Sequence, residues 1–287
     1  MKKPEGVAKL KALLQDADVF LEGFRPGYLA QYGLDYEGVK KVNPGIVYAS
    51  LTGFGQHSHM PAHDLNVIGL ASLSAIDEGY GIALPDAQMS AITAATNAFA
   101  TICMSLLNRE KTGQGRYLDV SLYAAALNMK ITGVAALYGC DIQKARPFSR
   151  VSHYYNVYRC KDGRYMTVGT IEPKFWRRLC EVLECPEILD RQFDFDHEDE
   201  LIGIVGEHIA AKTQKEWLDI IGDEEFCFTP VLNLRETLAT ELTEKQRMLQ
   251  KVQDPEYGEL NYLGYPVKIS GYDPQPVRRA QRLGEGE

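Results

Sequence analysis

Residues 18–56, "DVFLEGFRPGYLAQYGLDYEGVKKVNPGIVYASLTGFGQ", decide the fold class. "DVFLE" reads as a short buried strand. "PGYLAQYGL" and "YEGVKKVNP" read as short helical pieces. "GIVYASLTGFG" is a second apolar strand that runs into a glycine-bearing loop. Just upstream, Val7, Leu10, Leu13 and Leu14 recur at helical spacing. Helix, strand, helix, strand is the order expected of a parallel sheet covered by helices, because parallel neighbours must be joined by a crossover.

The pattern continues outward. "HDLNVIGLASLSAI" (63–76) reads as a helix. "DAQMSAITAATNAFATICMSLLNREKTG" (86–113) reads as a long helix, with Asp86 near its start and Gly113 at its end. Its small residues predict tight packing deep in the protein. "RYLDVSL" (116–122) is a strand and "YAAALNMKITGVAALYG" (123–139) one further helix. Near 141–152 the texture changes. "YYNVYRCKDGRYMTVGT" (154–170) predicts a β-hairpin turning on Lys161-Asp162-Gly163. "EPKFWRRLCEVLE" (172–184) predicts a helix opened by proline, and "QKEWLDIIG" and "LRETLATELTEKQRML" are further helical stretches. The expected organisation is a large α/β domain over 1–145, a smaller α+β domain over 150–235, and a return segment with an irregular tail over 236–287.

Composition narrows the functional classes. The net charge of −8 argues against nucleic acid, which requires a basic surface. A small anionic ligand held by a few arginines remains compatible with it. No stretch reaches 18 uninterrupted apolar residues, so no membrane span is expected. The six cysteines form no CxxC and no zinc spacing; they read as free buried thiols of a reducing, cytoplasmic protein. His57, His59 and His63 lack a ligand set of familiar spacing, so no metal site is expected.

A few residues could carry chemistry. Arg25 in "EGFRPG" follows a strand, where open α/β sheets bind ligands, and its fork suits a phosphate. It could equally be a turn residue. In "MPAHDLNVIGL" (60–70), His63-Asp64 is a catalytic pair or a capped helix start. Asp86 and Glu172 each stand at a helix start, where a capping role competes with a functional one.

The stretches 18–56 and 106–127, "LLNREKTGQGRYLDVSLYAAAL", resemble the family III CoA-transferases, also called the carnitine dehydratase and bile-acid-inducible protein F family. "HDLN", the Asp86 helix and "VGTIEPKFW" (168–176) look like its α-methylacyl-CoA racemase branch. The resemblance implies a Rossmann-like large domain, an interlocked homodimer, and no cofactor beyond the CoA moiety of the substrate. It implies that His63 and Asp86 face opposite sides of the substrate α-carbon, that Glu172 supports the histidine, that Asp64 accompanies it, and that Arg25 contacts CoA. Inverting that carbon takes a base on one face and an acid on the other, with the enolate stabilised between them. Asp86 then needs a raised pKa, which burial would supply. In the transferase branch the same aspartate is a nucleophile that forms an aspartyl-CoA intermediate. The resemblance also implies that the chain starts inside the family's usual N-terminal region and stops before its final helices. An inactive truncated member or partner subunit is therefore a third expectation.

Overall fold

The computed structural model describes residues 3–74, 82, 84–139, 152–224 and 226–272. The chain divides into two compact units, residues 1–150 and 151–287.

The first unit is built on β1 (Val19–Glu22), β2 (Val47–Thr52) and β3 (Arg116–Ser121). They run parallel in the order β1-β2-β3, with Val19 beside Val47 and Val47 beside Arg116. Strand β2 is central and almost wholly buried, as its run of Val, Tyr, Ala and Leu requires. Helix α1 (Pro4–Gln15) opens on a proline, whose missing N–H costs a helix nothing in the first turn. The Asn43 amide donates to the carbonyls of Leu14 and Ala17, satisfying groups freed where α1 ends. Helix α2 (Tyr36–Lys40) follows. Leu14, Leu29, Leu34, Val39, Ile46 and Tyr48 form the core on this side. The buried Tyr48 hydroxyl donates to Leu34 O at 2.9 Å, and burial raises its pKa. At Gly115 a Cβ would sit 1.9 Å from Ile46 O, so only glycine lets β3 enter beside β2.

Helix α3 (Asp64–Leu70) is shorter than the sequence pattern predicts; Ser72, at φ 61°, lies just beyond its end. Helix α4 (Met89–Thr112) ends at Gly113, at φ 67°. Arg109, in its last turn, pairs with Asp18 at 2.7 Å and donates to Gly45 O. The expectation of a deeply buried α4 is corrected. Ser90, Ala94, Ala98 and Ser105 are buried, whereas Ile92, Phe99, Met104 and Leu107 are exposed. The small residues form one packing face, not a buried circumference. Helix α4 is also long and apolar enough, by length and composition, to cross a membrane. Its Ser, Thr and Asn residues interrupt every apolar run, which is why counting uninterrupted residues missed it. The stretch expected as one helix after β3 forms two, α5 (Leu122–Asn128) and α6 (Ile131–Gly139).

In the second unit the expected hairpin is present. Strands β4 (Tyr155–Arg159) and β5 (Tyr165–Gly169) pair antiparallel, with Gly163 at φ 81° in the turn. Strand β6 (Phe228–Pro230) adds to β5. Helices α7 (Pro173–Leu183), α8 (Glu198–Ala210) and α9 (Gln214–Ile221) pack against this sheet around Trp176, Leu179, Leu201, Val205, Ile209 and Trp217. Thr213 and Glu216 form a capping box that starts α9. The stretch 234–249 breaks into α10 (Leu234–Leu238) and α11 (Glu241–Lys245), because Thr240 caps a new helix through its hydroxyl instead of continuing the old one. Strands β7 (Leu249–Asp254) and β8 (Gly258–Leu263) form a second hairpin that the sequence reading did not anticipate. The irregular tail expected over 271–287 lies almost wholly outside the described residues. Cys103, Cys160, Cys180, Cys185 and Cys227 are free thiols, but Cys227 is exposed, which corrects the all-buried reading; Cys140 lies outside the described residues.

Candidate active site

The loop that leaves the carboxyl end of β1 carries Arg25, and the loop that leaves β2 leads to His63 and Asp64. Ligands of open parallel sheets bind at this edge. Arg25 follows β1 by three positions and is exposed. It lines a cavity of about 310 Å³ together with Tyr36, Tyr48, Ser50, Gln56 and Tyr117. Glu22, Asp35 and Glu37 line the same cavity, so its interior favours neutral or aromatic groups over phosphate.

The loop after β2 is held at two points. Gly55 is at φ 78°, and the next N–H, of Gln56, donates to Asp119 on β3 at 3.1 Å. At Gly53 a Cβ would lie 2.1 Å from the Ala62 Cβ. Glycine there lets the Pro61–His63 segment press against the end of β2. His63 then stands at the N-cap position of α3 in extended conformation, exposed, with its N–H donated to Asn66 Oδ1 at 2.6 Å.

Asp64 has a structural task. Its Oδ1 accepts hydrogen bonds from the Ser90 hydroxyl and, at 3.0 Å, from the Ala91 N–H. Those are groups of the first turn of α4, whose own N-cap residue, Gln88, offers no side-chain bond. Asp64 therefore caps α4 from α3 and ties the two helix starts together. His63 is its neighbour in sequence, and Asp86 lies four residues before Ser90. The tether thus holds the start of α3, at which His63 stands, to the first turn of α4, which Asp86 precedes.

Asp86 stands two residues ahead of the α4 N-cap rather than at it, and it is exposed. The burial expected of it is not supplied by the described residues of this chain. Glu172 belongs to the second unit. It occupies the N-cap position of α7 but caps with its backbone alone, leaving the exposed carboxylate unused by the helix. Sequence reading named Arg25, His63, Asp64, Asp86 and Glu172, and missed Gly53, Ser90 and Asp119, which hold the loops. Gly53, immediately after a strand, was the available signal; nothing local marks Ser90 or Asp119. Among the described residues, no group of three or more His, Cys, Asp or Glu side chains could hold a metal ion.

The chain as a whole is similar to known proteins. The family model described as CoA-transferase family III matches residues 1–287. The succinyl-CoA:glutarate CoA-transferase of Homo sapiens is 26% identical over 300 residues, covering 99% of this chain and 68% of that protein. The alpha-methylacyl-CoA racemase of Homo sapiens is 30% identical over 248 residues, covering 83% of this chain and 65% of that protein. A crystal structure of a CAIB/BAIF family protein from Brucella suis matches with a TM-score of 0.78 at 21% identity, over 99% of this chain and 77% of that one.

Proposed function

This chain belongs to CoA-transferase family III, and on that premise we propose that it racemises 2-methylacyl-CoA thioesters by two-base α-proton transfer. The observation that carries the reading is the Asp64 tether, which gathers the His63 and Asp86 segments at the starts of α3 and α4. Both helices turn their positive ends toward that place. An enolate formed beside them is favoured electrostatically.

The chemistry follows from the residue types. A neutral His63 imidazole removes the α-proton from one face, leaving an enolate on the thioester. A protonated Asp86 returns a proton to the opposite face, and the two residues exchange roles for the other epimer. Asp86 is exposed in this chain, so the bound thioester or a partner chain has to cover it. Glu172 is the site residue of the second unit. Arg25 takes a phosphate of CoA from the outside of the tyrosine-lined cavity, whose carboxylates would repel phosphate within it.

A second reading is a CoA-transferase with Asp86 as nucleophile. It is favoured by the relative matched over 99% of this chain, which carries a transferase name. There Asp86 attacks the thioester carbonyl, releases CoA thiolate and forms an acyl anhydride. CoA thiolate then attacks the aspartyl carbonyl and expels the carboxylic acid.

The exposed stripe of Ile92, Phe99 and Leu107 along α4 supports a homodimer, since a monomer gains nothing by leaving it in water. Sedimentation at micromolar concentration should show twice the 32.1 kDa chain mass; a single species at the chain mass would refute the dimer. The function is tested by incubating the protein with (R)- and (S)-2-methylacyl-CoA in deuterated water, with and without an acceptor carboxylate. Racemisation with α-deuteration supports the first reading. A trapped Asp86–CoA adduct with acceptor-dependent turnover replaces it with the second. Neither, in a chain that still binds CoA esters, leaves an inactive member or partner subunit.

A further inference from the structure

The backbone that leads into Glu172 is held from one side chain. Gln192 is 5% exposed, and its amide nitrogen donates to Thr170 O at 3.1 Å and to Ile171 O at 2.8 Å. Both N–H bonds of the amide are thereby used. Those two carbonyls belong to the residues immediately before Glu172, where the chain leaves β5 and its ladder. Thr170 is wholly buried and its N–H goes to Tyr154 O at 2.9 Å. On the other side, Glu172 O accepts from the N–H groups of Phe175 and Trp176 and opens α7. The Trp176 indole in turn donates to Leu189 O at 2.9 Å, three residues before Gln192. Glu172 therefore sits in a closed circuit of bonds running through α7, Leu189 and Gln192, and only its side chain is left out.

We propose that Gln192 is a positioning residue for Glu172, fixing the Thr170–Ile171 backbone so that the carboxylate is presented in one place. The inference rests on the proposed function, in which Glu172 is a site residue. Thr170 and Ile171 continue a β-strand into a helix start, and without Gln192 their carbonyls would face the interior unpaired or turn outward to water. Either outcome moves Glu172. A site carboxylate displaced by an ångström is out of place for the reaction, and rate then falls without loss of binding.

Two variants test this. Gln192→Met keeps the length and removes both donors. Gln192→Glu restores one donor only when its carboxyl is protonated. Amide hydrogen exchange, read by mass spectrometry, should rise on the order of tenfold in the peptide 169–176 of Gln192→Met and stay unchanged in the peptide 205–221 around Trp217. Gln192→Glu should approach the wild-type protein at acid pH and depart from it as pH rises; it also serves if Gln192→Met does not fold. In α-deuteration of a 2-methylacyl-CoA, Gln192→Met should lower kcat roughly tenfold at unchanged KM. The Glu172→Gln/Gln192→Met double variant should be no slower than Glu172→Gln alone. Unchanged exchange at 169–176, an equal rise in the 205–221 peptide, or additive losses in the double variant would overturn the proposal. A wild-type protein that deuterates nothing would sink the reading of Glu172; the exchange comparison would still decide whether Gln192 holds that segment.

Discussion

Replacing Asp64 with alanine should loosen the first unit at the junction that carries the candidate site. The substitution removes an acceptor from the Ser90 hydroxyl and the Ala91 N–H. Loss of a helix cap costs about 0.5–2 kcal/mol. Loss of a negative charge from a helix N-terminus adds about 0.3–1 kcal/mol. Gln88 offers no replacement bond, and Asp64 is only half-buried, so water compensates in part. The expected net loss is about 1–2.5 kcal/mol, with the melting temperature falling about 2–4 °C for each kcal/mol. Asp64→Asn keeps the acceptor and gives up only the charge, so it should lose about 0.3–1 kcal/mol. Urea unfolding followed by circular dichroism measures both, and the midpoint should fall while the slope stays fixed. An unchanged midpoint in Asp64→Ala, or equal losses in the alanine and asparagine variants, would refute the cross-helix cap.

Further expectations follow from single contacts. Gly53→Ala places a Cβ 2.1 Å from the Ala62 Cβ, so His63 must shift; we expect at least a tenfold loss of α-proton exchange, with CoA-ester affinity retained by calorimetry. Arg25→Ala should weaken CoA-ester binding by roughly tenfold to a hundredfold, the value of a charge-assisted phosphate bond, and equal affinities would remove Arg25 from the site. His153 is wholly enclosed, edge-on to Tyr154 and Trp176, and burial lowers its pKa, with Glu198 acting the other way. The unfolded chain then holds a proton that the fold refuses. Stability should be full above about pH 6.5 and fall below it by up to about 1.4 kcal/mol per pH unit. Urea midpoints between pH 5 and 8 would show the slope, and His153→Phe should remove it.

What the sequence made legible depended on how far each signal reached. Strands β1, β2 and β3 were readable because buried parallel strands are continuous apolar runs, and the β4–β5 turn because Gly163 needs a positive φ. The end of α4 was readable from Gly113. Its start was misplaced by the nearness of Asp86, because the true cap comes from Asp64, 26 residues from Ser90. Propensity carries no information about a partner so distant in sequence. The exposure of Asp86 and of the Ile92–Leu107 stripe was likewise invisible, since periodicity tells that a helix has faces but not which of them are covered. His63, Asp86, Glu172 and Arg25 stood out as candidates, but only the resemblance gave them roles; their local patterns alone fit helix starts and turns just as well. Gln192 carries no local signal at all, and its role is visible only once Thr170 and Ile171 are seen to lie against it.

In the proposed reaction His63 and Asp86 act on opposite faces of one α-carbon. Solvent deuterium incorporation into separate (R)- and (S)-2-methylacyl-CoA samples by wild-type protein, His63→Ala and Asp86→Asn, read by mass spectrometry, separates the two faces. Wild-type protein should label and interconvert both epimers. His63→Ala should label one epimer without inverting it, and Asp86→Asn should label the other. Identical behaviour of the two variants toward both epimers, or full activity of His63→Ala alongside a covalent Asp86–CoA adduct, would contradict it.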